Sequence, residues 1–318
     1  MQEVSVVIPN YNGLVYLEGV LQSLQNQTLQ NYEVILVDNG SADGSCAYVT
    51  EHYPWVRIVK LAENFGFCRA VNEGIFLAEA PYVVLLNNDT EVEADFLEEM
   101  VKAIRRHENA FSCAARMIQF YDREKLDDAG NYYCALGWSY ARGKGKNVNF
   151  YEKEERIFAA CAGAAVYRKE IFETIGYFDE EHFAYLEDTD IGYRARIYGY
   201  ENWYAPKARV YHVGSGTSGS RYNQFKTRYS SRNNVYLLYK NMPLFQIILN
   251  FPFLAVGFGV KFLFFSLKGM GREYLAGIKN GFQISRCEKK VRFSLHNFPN
   301  YCKIQMELWI NMFRRFYS

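Results

Sequence analysis

Four short, nearly uninterrupted apolar runs constrain this chain more than any other feature. They are Val4-Ser5-Val6-Val7-Ile8, Val34-Ile35-Leu36-Val37, the stretch Val56 to Leu61, and Tyr82-Val83-Val84-Leu85-Leu86. Strands that are apolar on both faces belong to a parallel sheet covered on both sides. Helical spacing fills the intervals: Leu14, Leu17, Leu21 and Leu24 recur every three or four residues. The pattern predicts an α/β fold with helices on both faces of a sheet. Ligands of such sheets bind at the carboxyl ends of the strands. Those ends read Pro9-Asn10-Tyr11-Asn12-Gly13, Asp38-Asn39-Gly40 and Asn87-Asn88-Asp89, all polar.

The middle of the chain is more mixed. Phe111 to Met117 predicts a strand, and Asp188 to Tyr198 has helical spacing. Lys125 to Phe158 reads as loop, with a flexible Gly143-Lys144-Gly145-Lys146 patch. Gly199 and Pro206 bracket a short strand at Trp203-Tyr204.

Composition matters chiefly in the tail. Aromatic residues make up 17% of the 318-residue chain, a large ring surface to bury or to offer to a ligand or lipid. Net charge is only +1, so no chain-wide basic field calls for nucleic acid. Yet residues 240–318 hold 12 Lys+Arg against 3 Asp+Glu, leaving 24 against 32 in residues 1–239. Leu244 to Leu267 has 17 apolar residues of 24 and one base, Lys261. Its length suits a membrane span, but Pro252, Gly257, Gly259, Gln246 and Asn250 favour two shorter helices lying in a membrane interface. An ordinary buried helical pair is the plain alternative. The stretch that follows mixes Arg272, Lys279, Arg286, Lys289, Lys290 and Arg292 with Phe282, Phe293 and Phe298. The expected organisation is a domain over 1–239 and a helical, aromatic, basic extension over 240–318. An aromatic tail also suits pairing of two chains as a homodimer. Seven widely spaced cysteines with no CxxC pair argue against a zinc ribbon or a disulfide scaffold. No signal-peptide pattern precedes Val4, so the expected location is the cytoplasm.

Several polar residues carry chemistry or a plainer structural role. Asp89, after a buried strand, suits a hard cation that takes its remaining ligands from a diphosphate. As Asp89-Thr90 it equally suits the start of a helix over Glu93 to His107. Glu187-Asp188-Thr189-Asp190 crowds three acids where a helix N-terminus favours them, and a carboxylate there can take a proton from an attacking hydroxyl. Capping alone explains the cluster as well. His212 suits a metal ligand or a core position. Asp38 suits an imide N–H of a pyrimidine or the turn before Asn39-Gly40. Arg69 is either a cation near a diphosphate or a surface residue.

The order of these segments is more specific than any one of them. The strings from Val6 to Gly13, Val37 to Ser45, Asn64 to Phe67, Leu86 to Thr90, Gly176 to Glu180 and Tyr185 to Asp190 together resemble glycosyltransferase family 2, nearest its rhamnosyltransferase-like branch. The likeness covers about residues 3–240. It implies a GT-A fold with a mixed sheet, and inverting transfer of a sugar from a nucleotide-diphosphate donor (dTDP- or UDP-sugar). By position it assigns Asp188 as general base. It gives the donor Pro9, Tyr11, Asn12, Asp38, Gly66, Arg69, Asn88 and Asp89. It gives Mg²⁺ or Mn²⁺ to Asp89 and His212. On the acceptor side the residues themselves offer Gly163, Glu187 and the rings of Tyr185, Phe183 and Trp203, which could stack on sugar faces, core packing being the plainer role for any one ring. The family's DXD position reads Asn87-Asn88-Asp89 here, with one carboxylate. The basic tail suggests a glycan or polyprenyl-pyrophosphate-linked acceptor at the cytoplasmic face of a membrane, with peripheral attachment. Two competing readings are a sugar nucleotidyltransferase and an inactive, membrane-docked nucleotide-sugar-binding protein. A Gly-rich phosphate loop near the N-terminus, which the first would need, is absent from the sequence.

Overall fold

A computed structural model of the chain describes residues 2–214, 222–288 and 290–316; Lys289 of the basic stretch lies outside them. The first half alternates strand and helix as the periodicity predicts. The elements are β1 (Val4–Asn10), α1 (Leu14–Gln25), β2 (Tyr32–Asp38), α2 (Ser45–His52), β3 (Arg57–Lys60), α3 (Phe67–Leu77) and β4 (Tyr82–Leu86). β1 pairs in parallel with both β2 and β4, and β2 with β3. Alternate residues of β1 serve opposite faces. Val7 packs with Ala70, Val71 and Ile75 of α3, whereas Val4, Val6 and Ile8 pack with Leu17, Val20 and Leu21 of α1. Both faces are therefore dry, which explains why these strands are apolar throughout.

The second half departs from the sequence reading in instructive ways. Thr90 does not open a helix: β5 (Thr90–Val92) comes first and α4 (Phe96–Arg106) follows Asp95. β6 (Ala110–Gln119) is longer than expected. The stretch read as loop holds β7 (Leu126–Asp128), β8 (Asn131–Cys134), β9 (Trp138–Ala141) and β10 (Glu155–Ile157). Strands of three or four residues are too short to show a period. β11 (Ala164–Arg168), α5 (Lys169–Ile175), α6 (Glu187–Ile197) and β12 (Glu201–His212) complete this half. β12 extends well past Trp203-Tyr204. Pro206 does not end it, because the register shifts between Ala205 and Arg209 and so accommodates a residue without an N–H. The main sheet runs β10-β12-β6-β11-β4-β1-β2-β3. It is mixed, since β11 is antiparallel to β4 and β6.

The last elements are α7 (Gln224–Asn241), α8 (Leu244–Leu267), α9 (Gly271–Cys287) and α10 (Phe298–Arg314). α8 is one continuous helix with Pro252 inside it, not two shorter ones. α7 runs through position 240, and Lys240 is buried in the body. Its ammonium lies 3.0 Å from the Asp190 carboxylate and also reaches Asp179. Arg194 and Asn241 complete the set around Asp190, at 2.9 and 2.7 Å. Burial raises the Asp190 carboxyl, but Lys240 and Arg194 outweigh it and hold the group far below the usual carboxylate range.

Lys240→Met would strip one cation from the buried Asp190 and the half-buried Asp179. It should lower the unfolding free energy by roughly 3–5 kcal/mol, read as a fall in the urea midpoint at unchanged m-value. An unaltered midpoint would show that the cluster does not hold α6 to α7.

Candidate active site

The carboxyl ends of β1 and β4 open into a cavity of about 1250 Å³, lined by Pro9, Tyr11, Asn88, Asp89, Asp188 and His212 among others. Asn88 donates to the Asn10 carboxamide at 2.7 Å, and Asn10 donates to Asp38 at 3.1 Å. Asp38 is buried and also accepts from the Ser41 N–H, so it braces the turn behind this wall and is not among the lining residues. Asn12 is likewise tied back, to Ser41 and Ala42. Gly66 does line the cleft. Its φ is +90°, and a Cβ there would come within 2.6 Å of the Phe183 ring, so glycine is required by both conformation and space.

Two short strands that sequence reasoning did not find assemble one side of the site. β5 pairs antiparallel with the end of β12, putting Thr90 opposite His212. The Asp89 carboxylate therefore lies 3.3 Å from His212 Nε2. β7, hydrogen-bonded to β6, brings Asp127 to the other side of the ring, 2.7 Å from Nδ1. Burial alone would lower the His212 pKa, but hydrogen bonds to Asp127 and Asp89 overcome it and raise it to about 9. Asp127 is held down to about 2, burial being outweighed by His212 and Lys144. Next to it, burial pushes Asp128 up to about 7. The Asp89 carboxylate oxygen and His212 Nε2 lie 3.3 Å apart, with Asp127 behind the ring, and are donors of the type that Mn²⁺ or Mg²⁺ takes. Among the described residues no group of three or more His, Cys, Asp or Glu side chains gathers around one ion position. Most of a cation's shell would therefore come from a diphosphate and water.

The opposite side belongs to α6. The chain enters it through three left-handed residues, Phe183 (φ +58°), Tyr185 (+74°) and Leu186 (+67°). Such residues cost on the order of 1–3 kcal/mol each and need support from outside. The support is Asn233 of α7, whose amide donates to the carbonyls of His182, Ala184 and Tyr185 at 2.7–2.9 Å. Asp188 sits in the first helical turn. Its carboxylate accepts from the Thr189 N–H at 2.6 Å and from the Asn131 amide at 2.7 Å. Burial raises its pKa, and those bonds only partly oppose the rise. Burial and the neighbouring Asp188 charge also raise the Glu187 carboxyl, which favours a proton on Glu187.

Gly163, Glu187 and the rings of Phe183 and Tyr185 line the cleft as expected. Trp203 and Arg69, like Asp38 and Asn12, are not among the lining residues. Trp203 stacks on His107 at 3.7 Å and bonds Glu201, away from the lining residues. Arg69 pairs with Glu73 and Glu180 on the surface of α3, so its charge is already engaged. Sequence reasoning missed Asn131, Asp127 and the cleft ring Phe225. The adjacent acids Asp127-Asp128 were the one available signal.

Comparison with known proteins agrees with this geometry. The family model described as Glycosyl transferase family 2 matches residues 5–176. The chain belongs to that family. It is 28% identical over 237 residues to an N-acetylglucosaminyl-diphospho-decaprenol L-rhamnosyltransferase of Mycobacterium tuberculosis, covering 67% of this chain and 77% of that one. It spans only 25% of the length of another relative, a Sinorhizobium fredii protein 27% identical over 230 residues. The fold is GT-A. S. aureus TarS 1-349 in complex with UDP-GlcNAc superposes with a TM-score of 0.60 at 19% identity, over 89% of this chain and 81% of that one. Mannosyltransferase PcManGT from Pyrobaculum calidifontis, in complex with GDP-Man and Mn²⁺, gives 0.54 at 16% identity, over 87% and 86%. Family membership sets the nucleotidyltransferase alternative aside.

Asp127→Asn should free the His212 ring while leaving Asp89 in place. Mn²⁺ affinity in the presence of nucleoside diphosphate should then fall about 10- to 100-fold, measured from the free-Mn²⁺ EPR signal. An unchanged signal would mean that Asp127 does not hold the ring for a cation.

Proposed function

We propose that this chain is an inverting, metal-dependent glycosyltransferase. It moves a sugar, with rhamnose favoured, from a pyrimidine nucleoside-diphosphate donor to a hydroxyl of a lipid-linked glycan in cell-surface polysaccharide synthesis. The observation that carries this reading is the placement of Asp89 and Asp188 on one cleft in unlike surroundings. Asp89 is paired with an imidazole, whereas Asp188 is held by neutral donors and carries a raised pKa. One carboxylate is equipped to hold charge and the other to take a proton.

Pro9 and Tyr11 would flank the base, and Asn88 would fix the wall on which the diphosphate lies. Asp38 would act on the base only indirectly, through Asn10 and the Ser41 turn. A divalent cation held by Asp89 and His212 would offset the negative charge that builds on the leaving diphosphate. Asp188 removes the proton of the acceptor hydroxyl as its oxygen attacks the anomeric carbon from the side opposite the diphosphate. Asn131 and the Thr189 N–H fix the carboxylate, so little reorganisation is needed at the moment of transfer. Glu187, protonated beside it, adds no second charge to repel. The lipid-linked acceptor is supported by the name of the mycobacterial relative, and the reading puts the work at the cytoplasmic face of a membrane.

Asp188→Asn should leave donor affinity within about twofold while turnover falls by on the order of 10²–10⁴, measured by calorimetry and by release of nucleoside diphosphate. Normal turnover in that variant would remove Asp188 from its role.

The pH dependence has a definite sign. A base with a raised pKa takes up its proton at higher pH, so kcat/KM should begin to fall at a pH above the ordinary carboxylate range. Asn131→Leu removes a bond to the ionised form and should move that acid limb further upward. An acid limb at the ordinary carboxylate value in both proteins would argue against Asp188 as the base.

A further inference from the structure

The face that α8 turns to the catalytic body is its polar one. Gln246, Asn250, Leu254 and Gly257 are its buried residues. Gln246 donates to the Tyr301 carbonyl and accepts from the Tyr193 hydroxyl. Asn250 exchanges two 2.8 Å hydrogen bonds with Gln305 and accepts a third from Trp309. At Gly257 the helix touches the body backbone: a Cβ there would lie 2.0 Å from the Leu136 carbonyl, and Trp138 donates to the Gly257 carbonyl at 3.0 Å. The opposite face is apolar and open. Leu244, Ile248, Phe251, Val256, Leu263 and Leu267 are 59–90% exposed. This reverses the arrangement of a helix on a water-soluble protein, where the apolar stripe faces the core.

We infer that the outward face of α8 seats in an anionic lipid bilayer, with the helix lying along the surface, and that this seating presents the membrane-anchored acceptor to the cleft. The helix is long and apolar enough to cross a membrane by length and composition. It is nevertheless fastened to the body from Gln246 to Phe258, where the Tyr274 hydroxyl reaches its backbone, so it lies against the body. Charge complementarity selects the occupant. Neighbouring α9 packs on α7 through Gly277 and Gly281 and exposes Arg272, Leu275, Lys279, Phe282 and Arg286, a stripe alternating cations with apolar side chains. Anionic headgroups neutralise such a stripe, and its apolar members enter the acyl boundary. A second copy on a two-fold axis would instead bring like charges together.

The seat adjoins the cleft. Phe225, which lines the cavity, lies 6.1 Å from the Tyr185 ring. Three residues earlier, Tyr222 packs against Phe264 of α8 at 5.5 Å, with Lys268 Nζ 4.8 Å from its ring. The short segment from Tyr222 to Phe225 thus has one end on α8 and the other in the mouth beside Asp188. The acceptor clause rests on the proposed function; the docking itself does not.

The test is co-flotation of the full-length protein with vesicles of phosphatidylcholine alone or mixed with phosphatidylglycerol. The wild type should float with the mixed vesicles and only weakly with phosphatidylcholine. Ile248→Gln, Phe251→Gln and Leu263→Gln combined should weaken flotation by at least about tenfold, with nucleotide binding unchanged. Arg272→Glu with Lys279→Glu should abolish the preference for anionic lipid. Wild-type flotation by the triple variant, or no flotation of the wild type, would overturn the inference. So would a solution dimer that the triple variant dissociates in the absence of vesicle binding. Intact flotation with no transfer to a vesicle-borne lipid-linked acceptor would overturn the acceptor clause while leaving the docking in place.

Discussion

The carboxylate of Asp190 is completely buried, and the architecture of the site depends on how its charge is met. Arg194 from its own helix, Lys240 and Asn241 from α7 all converge on it. A buried carboxylate without partners would be several kcal/mol too costly to keep ionised. The cluster is therefore a geometric demand that α6 and α7 dock in one register. That register places Asn233 where its amide can hold three carbonyls of the left-handed entry to α6. The entry in turn fixes Asp188, two residues before Asp190, at the cleft edge. The placement of Asp188 thus depends on the neutralisation of Asp190, and so would the chemistry proposed for it.

The cleft keeps Asp89 and Asp188 apart by environment more than by type. Asp89 shares a histidine with Asp127, so positive charge is available on its side whenever the imidazole is protonated or a cation replaces the proton. Asp188 receives only hydrogen bonds from neutral groups, and burial raises its affinity for a proton. The single carboxylate of Asn87-Asn88-Asp89 is consistent with this division. Asn88 donates its amide to Asn10 and braces the wall, while in the proposed reading His212, held by Asp127, would stand in for a second acid at that strand end.

Much of this was legible in the residues, for identifiable reasons. β1, β2 and β4 are buried on both faces, and only long apolar runs satisfy that, so they announced themselves. Their polar ends marked the cleft. The stretch from Lys125 to Phe158 did not, because β7 to β10 are three- or four-residue strands, too short to show a period, and β10 finds its partner only in the distant β12. With them went Asp127 and Asn131, whose roles arise only when β6 and α6 are in place. Arg69 stayed open between two readings because a cation in sequence carries no sign of its partners, which are Glu73 and Glu180 in the fold. The break after residue 239 suggested by composition falls inside α7, since a change of charge along a chain need not coincide with a change of packing.

The same point explains why the tail resisted a single reading. Hydropathy along Leu244 to Leu267 is nearly uniform, so periodicity could not say which side faces the body. The deciding residues are the few polar ones. In a water-soluble helix Gln246 and Asn250 would be free to face solvent, and the apolar remainder would seek the core. Here tertiary partners for their amides exist only on α6 and α10, at Tyr193, Tyr301, Gln305 and Trp309. Satisfying those amides turns the rings outward, and the exposed apolar surface that results is unfavourable in water. That outward surface is the one inferred above to seat in lipid. In such a medium the aromatic excess of the chain is a source of binding energy rather than a liability.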